Sequence, residues 1–152
     1  MSTDWTNSDG LEIRFAGPEA DQSGAGTQGA VKELVVDIAN MATDITAAAF
    51  SHEAAIPAGS YIIGAYLKVT SAMTGTSGTL TIGLAQKDGT AIDADGIDAA
   101  IAQADLAAGK AVSCDGALVG GVATVGSNPA YVYTTKGGTV TGGAARLVIE
   151  YI

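Results

Sequence analysis

The 152 residues suffice for one domain, and their composition limits what that domain can do. Sixteen acidic residues against seven basic ones give a net charge of −9. The basic residues are scattered, which argues against binding to nucleic acid or to an anionic membrane surface, because both need clustered cations. The first ten residues resemble no signal peptide, and the single Cys114 leaves no internal disulfide. We therefore expect synthesis in a reducing cytoplasm.

Alanine and glycine dominate the chain, with 29 and 21 residues. Only 15% of the residues are charged, against about 25% in ordinary soluble domains. So few charges are most simply explained by burial of uncharged surface between subunits. We predict a homo-oligomer, with a trimer as the expected form. The alternative is a compact monomer whose surface is rich in Gly, Thr and Ser.

Residues 1–29 differ from the rest and are predicted to form an extended N-terminal arm. Leu11, Ile13 and Phe15 alternate with charged residues, which predicts one short strand between two polar or Gly-rich segments. The arm is too short to bury these side chains itself, so they must dock on this subunit's sheet or on a neighbour. We predict that Leu11, Ile13 and Phe15, with Trp5, bind a partner. Packing on the chain's own sheet is the alternative.

Residues 30–152 are predicted to form an all-β domain, a β-sandwich of jelly-roll type with one short helix. Alternating or β-branched runs separated by Gly-rich turns predict the strands. In chain order they are Val31–Ala39, Thr43–Phe50, Ser60–Ser71, Thr79–Gln86, Val112–Cys114, Ala117–Val125, Ala130–Thr135 and Ala144–Ile152. Turns are predicted at Gly75–Gly78, Lys87–Gly89 and Lys136–Gly138.

One helix is predicted over Gly96–Ala108. Asp95 can cap its N-terminus, Ile97 and Ile101 fall on one face, and Gly109 provides a stop.

The sequence contains almost no catalytic residues. His52 is the only histidine, so one chain cannot supply a metal site with two histidines. A pair formed by His52 and Cys114 has no third partner in any motif. We therefore predict no catalytic residue, no cofactor and no enzyme activity.

Four closely spaced aspartates, Asp88, Asp93, Asp95 and Asp98, suggest a calcium loop at first sight. The pattern departs from an EF-hand, since Ala102 stands where the last acidic ligand belongs. We predict a solvated acidic turn without a metal, and a cation site is the alternative.

Three segments within residues 54–152 resemble the small head-decoration (cement) and related minor virion proteins of tailed bacteriophages. They are the Ile56–Gly59 turn leading into SYIIGAYLKVTSA, the run GTLTIGLAQKDGTAIDADGIDAA, and the closing KGGTVTGGAARLVIEYI. The resemblance lies in the style and order of the segments.

This resemblance implies a non-enzymatic β-sandwich or jelly roll, often trimeric, with an N-terminal arm that reaches across capsid subunits. It also implies the major capsid protein as a partner and a position on the capsid surface of a virion. The alternative is a β-sandwich binding module that recognises a carbohydrate or a receptor. Such a module normally displays several aromatic residues, whereas Trp5 is the single tryptophan here.

Overall fold

The computed structural model describes residues 3–6, 12–15, 31–50 and 54–152. The chain divides into two compact units, Met1–Val31 and Lys32–Ile152. In the first unit, β1 (Thr3–Thr6) and β2 (Glu12–Phe15) form an antiparallel hairpin. The sequence predicts a single strand here, and β1 was missed because its four residues are too few to show an alternating pattern.

The second unit consists mainly of antiparallel strands, which confirms the predicted all-β class. The jelly-roll arrangement stays a prediction. The strands are β3 (Lys32–Ile38), β4 (Ile62–Ala85), β5 (Ala91–Ala102), β6 (Ala111–Ser113) and β7 (Tyr131–Tyr151). Single-turn 3-10 helices span Ala47–Ala49 and Gln103–Asp105.

Strands β4 and β7 pair along nearly their whole lengths and form the centre of the sheet, whose order is β3-β7-β4-β5. The first half of β4 lies between β7 and β6, and its second half lies between β7 and β5. We call β3, β6 and the halves of β4 and β7 beside them the first half-sheet. The second half-sheet contains β5 and the remaining halves of β4 and β7.

The buried positions change from odd to even numbers along β4. Leu67 and Val69 are buried in its first half, whereas Leu80 and Ile82 are buried in its second half. The register of β4 against β7 shifts repeatedly between Val69 and Thr79, as expected where β-bulges insert extra residues. Because side chains alternate between the two faces of a strand, an inserted residue keeps the same side of the sheet buried across this change.

The two half-sheets share one hydrophobic core. Leu67 and Leu147 of the first half-sheet belong to the same buried cluster as Ile82, Ile97 and Val132 of the second. Because β-bulges bend the strand that contains them, the sheet bends at the irregular segments 70–79 of β4 and 137–144 of β7, and we call this region the bend.

Gln103, in the 3-10 helix after β5, holds the bend in place. Its side-chain Nε2 donates to the carbonyl oxygens of Met73 and Gly75, each at 3.3 Å, and its Oε1 accepts from the Gly78 N–H at 3.1 Å. The Met73 N–H also donates to the Leu106 carbonyl at 2.9 Å. One side chain thus satisfies three backbone groups that the bulges remove from the regular ladder.

The predicted helix over Gly96–Ala108 is wrong. Residues 91–102 form β5, which pairs with the second half of β4 through an irregular register. Strand pairing buries Ile97 and Ile101 in the core and uses the hydrogen-bonding groups of the β4 edge. These gains outweigh the helix preference of a short Ala-rich run, whose propensity is a weak guide against tertiary contacts.

The turns predicted at Gly75–Gly78 and Lys136–Gly138 are also wrong. Both glycine-rich segments pair with each other inside the continuous strands β4 and β7. By contrast, the predicted Lys87–Gly89 turn is confirmed as the tight connection between β4 and β5. There the Gln86 N–H donates to the Thr90 carbonyl at 2.8 Å.

Two of the predicted strands, Thr43–Phe50 and Ala117–Val125, are irregular segments. Within the first, Ile45 exchanges hydrogen bonds with Thr134 of β7 and a 3-10 turn follows. The second contains only isolated bridges and turns. The other six predicted strands coincide with β3, β6 and parts of β4 and β7.

Gly143 provides a test of close packing at the bend. Its φ is 123°, and a Cβ added there would lie 2.8 Å from the Met73 Cα and 2.9 Å from the Met41 sulfur. Gly126 has a similar φ of 98°, but nothing lies within 4 Å of an added Cβ. The positive φ of both glycines disfavours alanine. Only Gly143→Ala also introduces overpacking, which costs about 1–3 kcal/mol of stability.

We therefore expect Gly143→Ala to lower the free energy of unfolding by about 1–3 kcal/mol more than the matched control Gly126→Ala. Urea denaturation of both variants measures the difference. Equal losses for the two variants would contradict the packing described at the bend.

Candidate functional site

The structure describes three of the four residues predicted for the partner-binding arm. Trp5 lies on β1, and Ile13 and Phe15 lie on β2, with Trp5 and Ile13 as register partners. Leu11 lies outside the described residues. The hairpin thus places Trp5 beside Ile13 in the backbone, and their contact with a partner stays a prediction.

Cys114 is buried, with 4% of its surface exposed, and its thiol is hydrogen-bonded to the Asp98 carboxyl group. Burial raises the pKa of the Cys114 thiol to about 12, and the nearby Asp98 and Asp115 charges act in the same direction. A reactive cysteine needs the opposite change, because the thiolate is the nucleophile. His52, the other member of the weighed pair, lies outside the described residues.

The four aspartates weighed as a calcium loop do not form the predicted solvated acidic turn, because only Asp88 lies in a turn and the other three lie on β5. Asp88 accepts the Thr90 N–H at 2.9 Å in the β4–β5 turn, and Asp93 accepts the Asp95 N–H at 3.3 Å. Asp98 is buried beside Cys114. Within the described residues, no three acidic, histidine or cysteine side chains come together as a set of metal ligands.

Asp98 has an unusual environment for a carboxyl group, since only 6% of its surface is exposed. Burial raises its pKa above the ordinary 3.8, and the negative charge of Asp115 adds to this. Hydrogen bonds from Cys114 and from the Ala99 N–H partly offset the increase. The ionised form of Asp98 is therefore disfavoured by the fold.

The outer side of the first half-sheet, away from the core, carries an apolar row. Val35 of β3, Val148 of β7 and Tyr66 of β4 are register partners across three adjacent strands. Val35 and Tyr66 are 45% and 41% exposed. Val148 is buried although it is not part of either core cluster, so its neighbours on the outer side must cover it.

An acidic row lies on one side of the apolar row, two residues along each strand. It consists of Glu33, Glu150 and Gly64, which are again register partners. The space where Gly64 would carry a Cβ lies 3.5 Å from the Glu150 Oε2. Since Gly64 has no side chain, the Glu150 carboxylate extends over the backbone of β4.

A row with basic residues lies on the opposite side, formed by Asp37, Arg146 and Lys68. The Arg146 Nε donates to the Asp37 Oδ1 at 2.7 Å, and this ion pair lowers the pKa of Asp37. Among the described residues, neither Lys68 nor Glu150 forms an ion pair. Since the charges of Arg146 and Asp37 offset each other, the net positive charge of this row comes from Lys68.

We call these three rows together the outer face, made of Glu33, Val35, Asp37, Gly64, Tyr66, Lys68, Arg146, Val148 and Glu150. Beyond its acidic row, Tyr61 and Ile152 exchange two backbone hydrogen bonds of 3.0 Å and are 41% and 46% exposed. The sequence alone did not predict this surface. The alternation of the last strand places Val148, Glu150 and Ile152 on one side, but the register with β3 and β4 is needed to complete the three rows.

Comparisons with known proteins give a match at the level of structure only. No family model matches the chain, and no curated protein matches it. A chain of the structure titled "Capsid of Ralstonia phage GP4" superposes with a TM-score of 0.56 and 17% identity, over 82% of this chain and 84% of that one. A chain of "Cyanophage Pam1 capsid asymmetric unit" gives a TM-score of 0.54 and 18% identity, over 96% of both.

The fold is shared with chains of two phage capsid structures. The match covers most of each chain, so it concerns the whole architecture and not one local motif. Within the described residues, no helix is long and apolar enough to cross a membrane.

Asp98 gives a testable pH dependence. Because the pKa of Asp98 is raised in the folded state, ionisation of this carboxyl group lowers the stability of the fold. This loss is absent below the ordinary pKa of 3.8 and grows as the pH rises through the folded pKa. We expect Asp98→Asn to gain stability relative to the wild type between about pH 3 and about pH 7. Chemical denaturation across this range measures the gain.

Asp37→Asn is the matched control, because Arg146 lowers the pKa of Asp37. Its contribution to stability is present above 3.8 and is lost as the pH falls through the lowered value. The control should therefore lose stability at neutral pH and recover in acid. The same trend for Asp98→Asn would contradict the description of Asp98.

Proposed function

We propose that this protein is a non-enzymatic structural component of a bacteriophage virion, and specifically a decoration (cement) protein on the capsid surface. Its partners are the major capsid protein and further copies of itself. The observation that carries the proposal is the shared fold, which covers 82% and 96% of this chain in the two capsid matches. The resemblance of residues 54–152 to decoration proteins supports the finer assignment.

The described side chains favour assembly over catalysis. The Cys114 thiol is buried and has a raised pKa, and Asp98 serves as its hydrogen-bond partner. Large apolar side chains, by contrast, are exposed on the surface, as at Val35 and Tyr66 on the outer side of the first half-sheet. Exposed apolar side chains that share one sheet face are typical of a binding surface.

A homotrimer is the proposed assembly. The low fraction of charged residues leaves uncharged surface that contact between subunits can cover. This number of subunits also follows from the resemblance to decoration proteins. Synthesis in the host cytoplasm and later addition to the capsid complete the proposal.

The N-terminal arm is the proposed contact with the capsid. An arm strand that joins the edge of a neighbouring sheet satisfies its backbone groups and inserts alternate side chains. Burial of each large apolar side chain contributes about 1.5–3 kcal/mol before the cost of ordering the arm. The combined effect of four such residues is large enough for stable attachment.

The test replaces the four apolar arm residues by serine in the full-length chain, at Trp5, Leu11, Ile13 and Phe15. We expect the variant to keep the unfolding midpoint of residues 32–152 and to lose binding to capsids. Co-sedimentation with capsids that lack this protein, from the phage that carries its gene, measures the binding.

The matched control replaces the charged residues that alternate with them, Glu12 and Arg14, by serine. This control should bind capsids like the wild type. Normal binding by the quadruple variant would contradict the role of the arm. Absence of the wild-type protein from purified virions, measured by mass spectrometry, would contradict the proposed function itself.

A further inference from the structure

We propose that the outer face is a self-docking surface, on which a second copy of the chain packs face to face about a two-fold axis. This contact is additional to the trimer and to the arm. Pairing through the outer face joins two copies of the assembly that the other contacts form, so two trimers would associate into a hexamer.

The apolar row is the centre of the contact. Val35 and Tyr66 expose 45% and 41% of their surface on either side of Val148. When two such faces stack, each apolar row can cover the other and remove these side chains from water. Sheets pack face to face in this manner about 10 Å apart.

Two of the two-fold axes in the plane between the sheets keep the strands of both copies aligned, and the charges select one of these two. An axis parallel to the strands would place the acidic row on the acidic row of the second copy. An axis along the apolar row instead places Glu150 opposite the second copy's Arg146, because both lie on β7 two residues from Val148. The acidic row of each copy then faces the net positive row of the other. On β3 the same axis places Glu33 opposite Asp37, whose charge is offset by its ion pair with Arg146.

Gly64 gives this arrangement a specific fit. The same axis places Lys68 of the second copy opposite Gly64, since both lie on β4 two residues from Tyr66. Gly64 has no side chain, and the Glu150 carboxylate extends over it. The unpaired Lys68 of one copy therefore meets the unpaired Glu150 of the other, twice in each pair of copies.

The size of the face determines the strength of the contact. Three rows spaced about 6.6 Å apart on three strands spaced about 4.8 Å apart cover about 300 Å² per copy. A standard stable interface covers about 800 Å² per partner. We therefore expect reversible pairing that depends on protein concentration.

The experiment measures the mass of the full-length chain by sedimentation equilibrium at concentrations from about 1 to about 500 µM. Reversal of either charge, by Glu150→Lys or by Lys68→Glu, places like charges in contact in both halves of the pair. We expect each variant to weaken the pairing at least about tenfold. Circular dichroism checks that each variant keeps the wild-type fold.

A mixture of the two variants gives the sharpest result. In a mixed pair, the lysine introduced in one copy faces the glutamate introduced in the other, and the second contact is that of the wild type. Pairing should therefore recover in the mixture to within about threefold of the wild type. Asp105→Lys, an equal charge change at an exposed position off the outer face, should pair like the wild type.

Three results would overturn the proposal. These are a Glu150→Lys variant whose mass equals that of the wild type at every concentration, no recovery in the mixture, and loss of capsid binding by either variant while its mass equals that of the wild type. The last would show that the outer face binds the capsid. Because the mass is measured without capsids, the test of pairing between copies is independent of the proposed virion function.

Discussion

The structure depends on the continuous pairing of β4 and β7 through the bend. Twenty-four residues of β4 and twenty-one of β7 hydrogen-bond along nearly their whole lengths. Because the bulges keep one side of the sheet buried, Leu67 and Ile82 can lie in the same core although they belong to different half-sheets. A chain with few large side chains thus builds one core from a single bent sheet.

The bend is stable because its backbone groups have partners. Gln103 binds three of them, and the Met73 N–H binds the Leu106 carbonyl. Among the described residues, no buried side-chain nitrogen or oxygen lacks a hydrogen-bond partner. Because Gly143 has no side chain, β7 can approach β4 and Met41 closely. The high glycine content therefore serves close packing as well as turns. The bend leaves the outer side of the first half-sheet available for contacts, since the core occupies the other side.

Local patterns predicted the all-β class and most of the strands, because their alternating residues record which side is buried. They failed where distant contacts decide the structure. The Ala-rich run around Ile97 has helical spacing, but the edge of β4 makes it a strand. The glycines near Gly75 and Gly138 are typical of turns, and only their mutual pairing shows that both strands continue. The apolar arm residues were evident from alternation, whereas the outer face required the register that aligns Val35, Val148 and Tyr66.

NMR measurements of the backbone at the bend test the central claim most directly. The account predicts cross-strand nuclear Overhauser effects between Thr76 and Thr139, in addition to those between Leu67 and Leu147 and between Leu84 and Val132. Slow amide hydrogen exchange should continue from the first half-sheet into the second. Two separate turns, with only local Overhauser effects at Thr76 and Thr139 and rapid exchange at both, would contradict the continuous bent sheet.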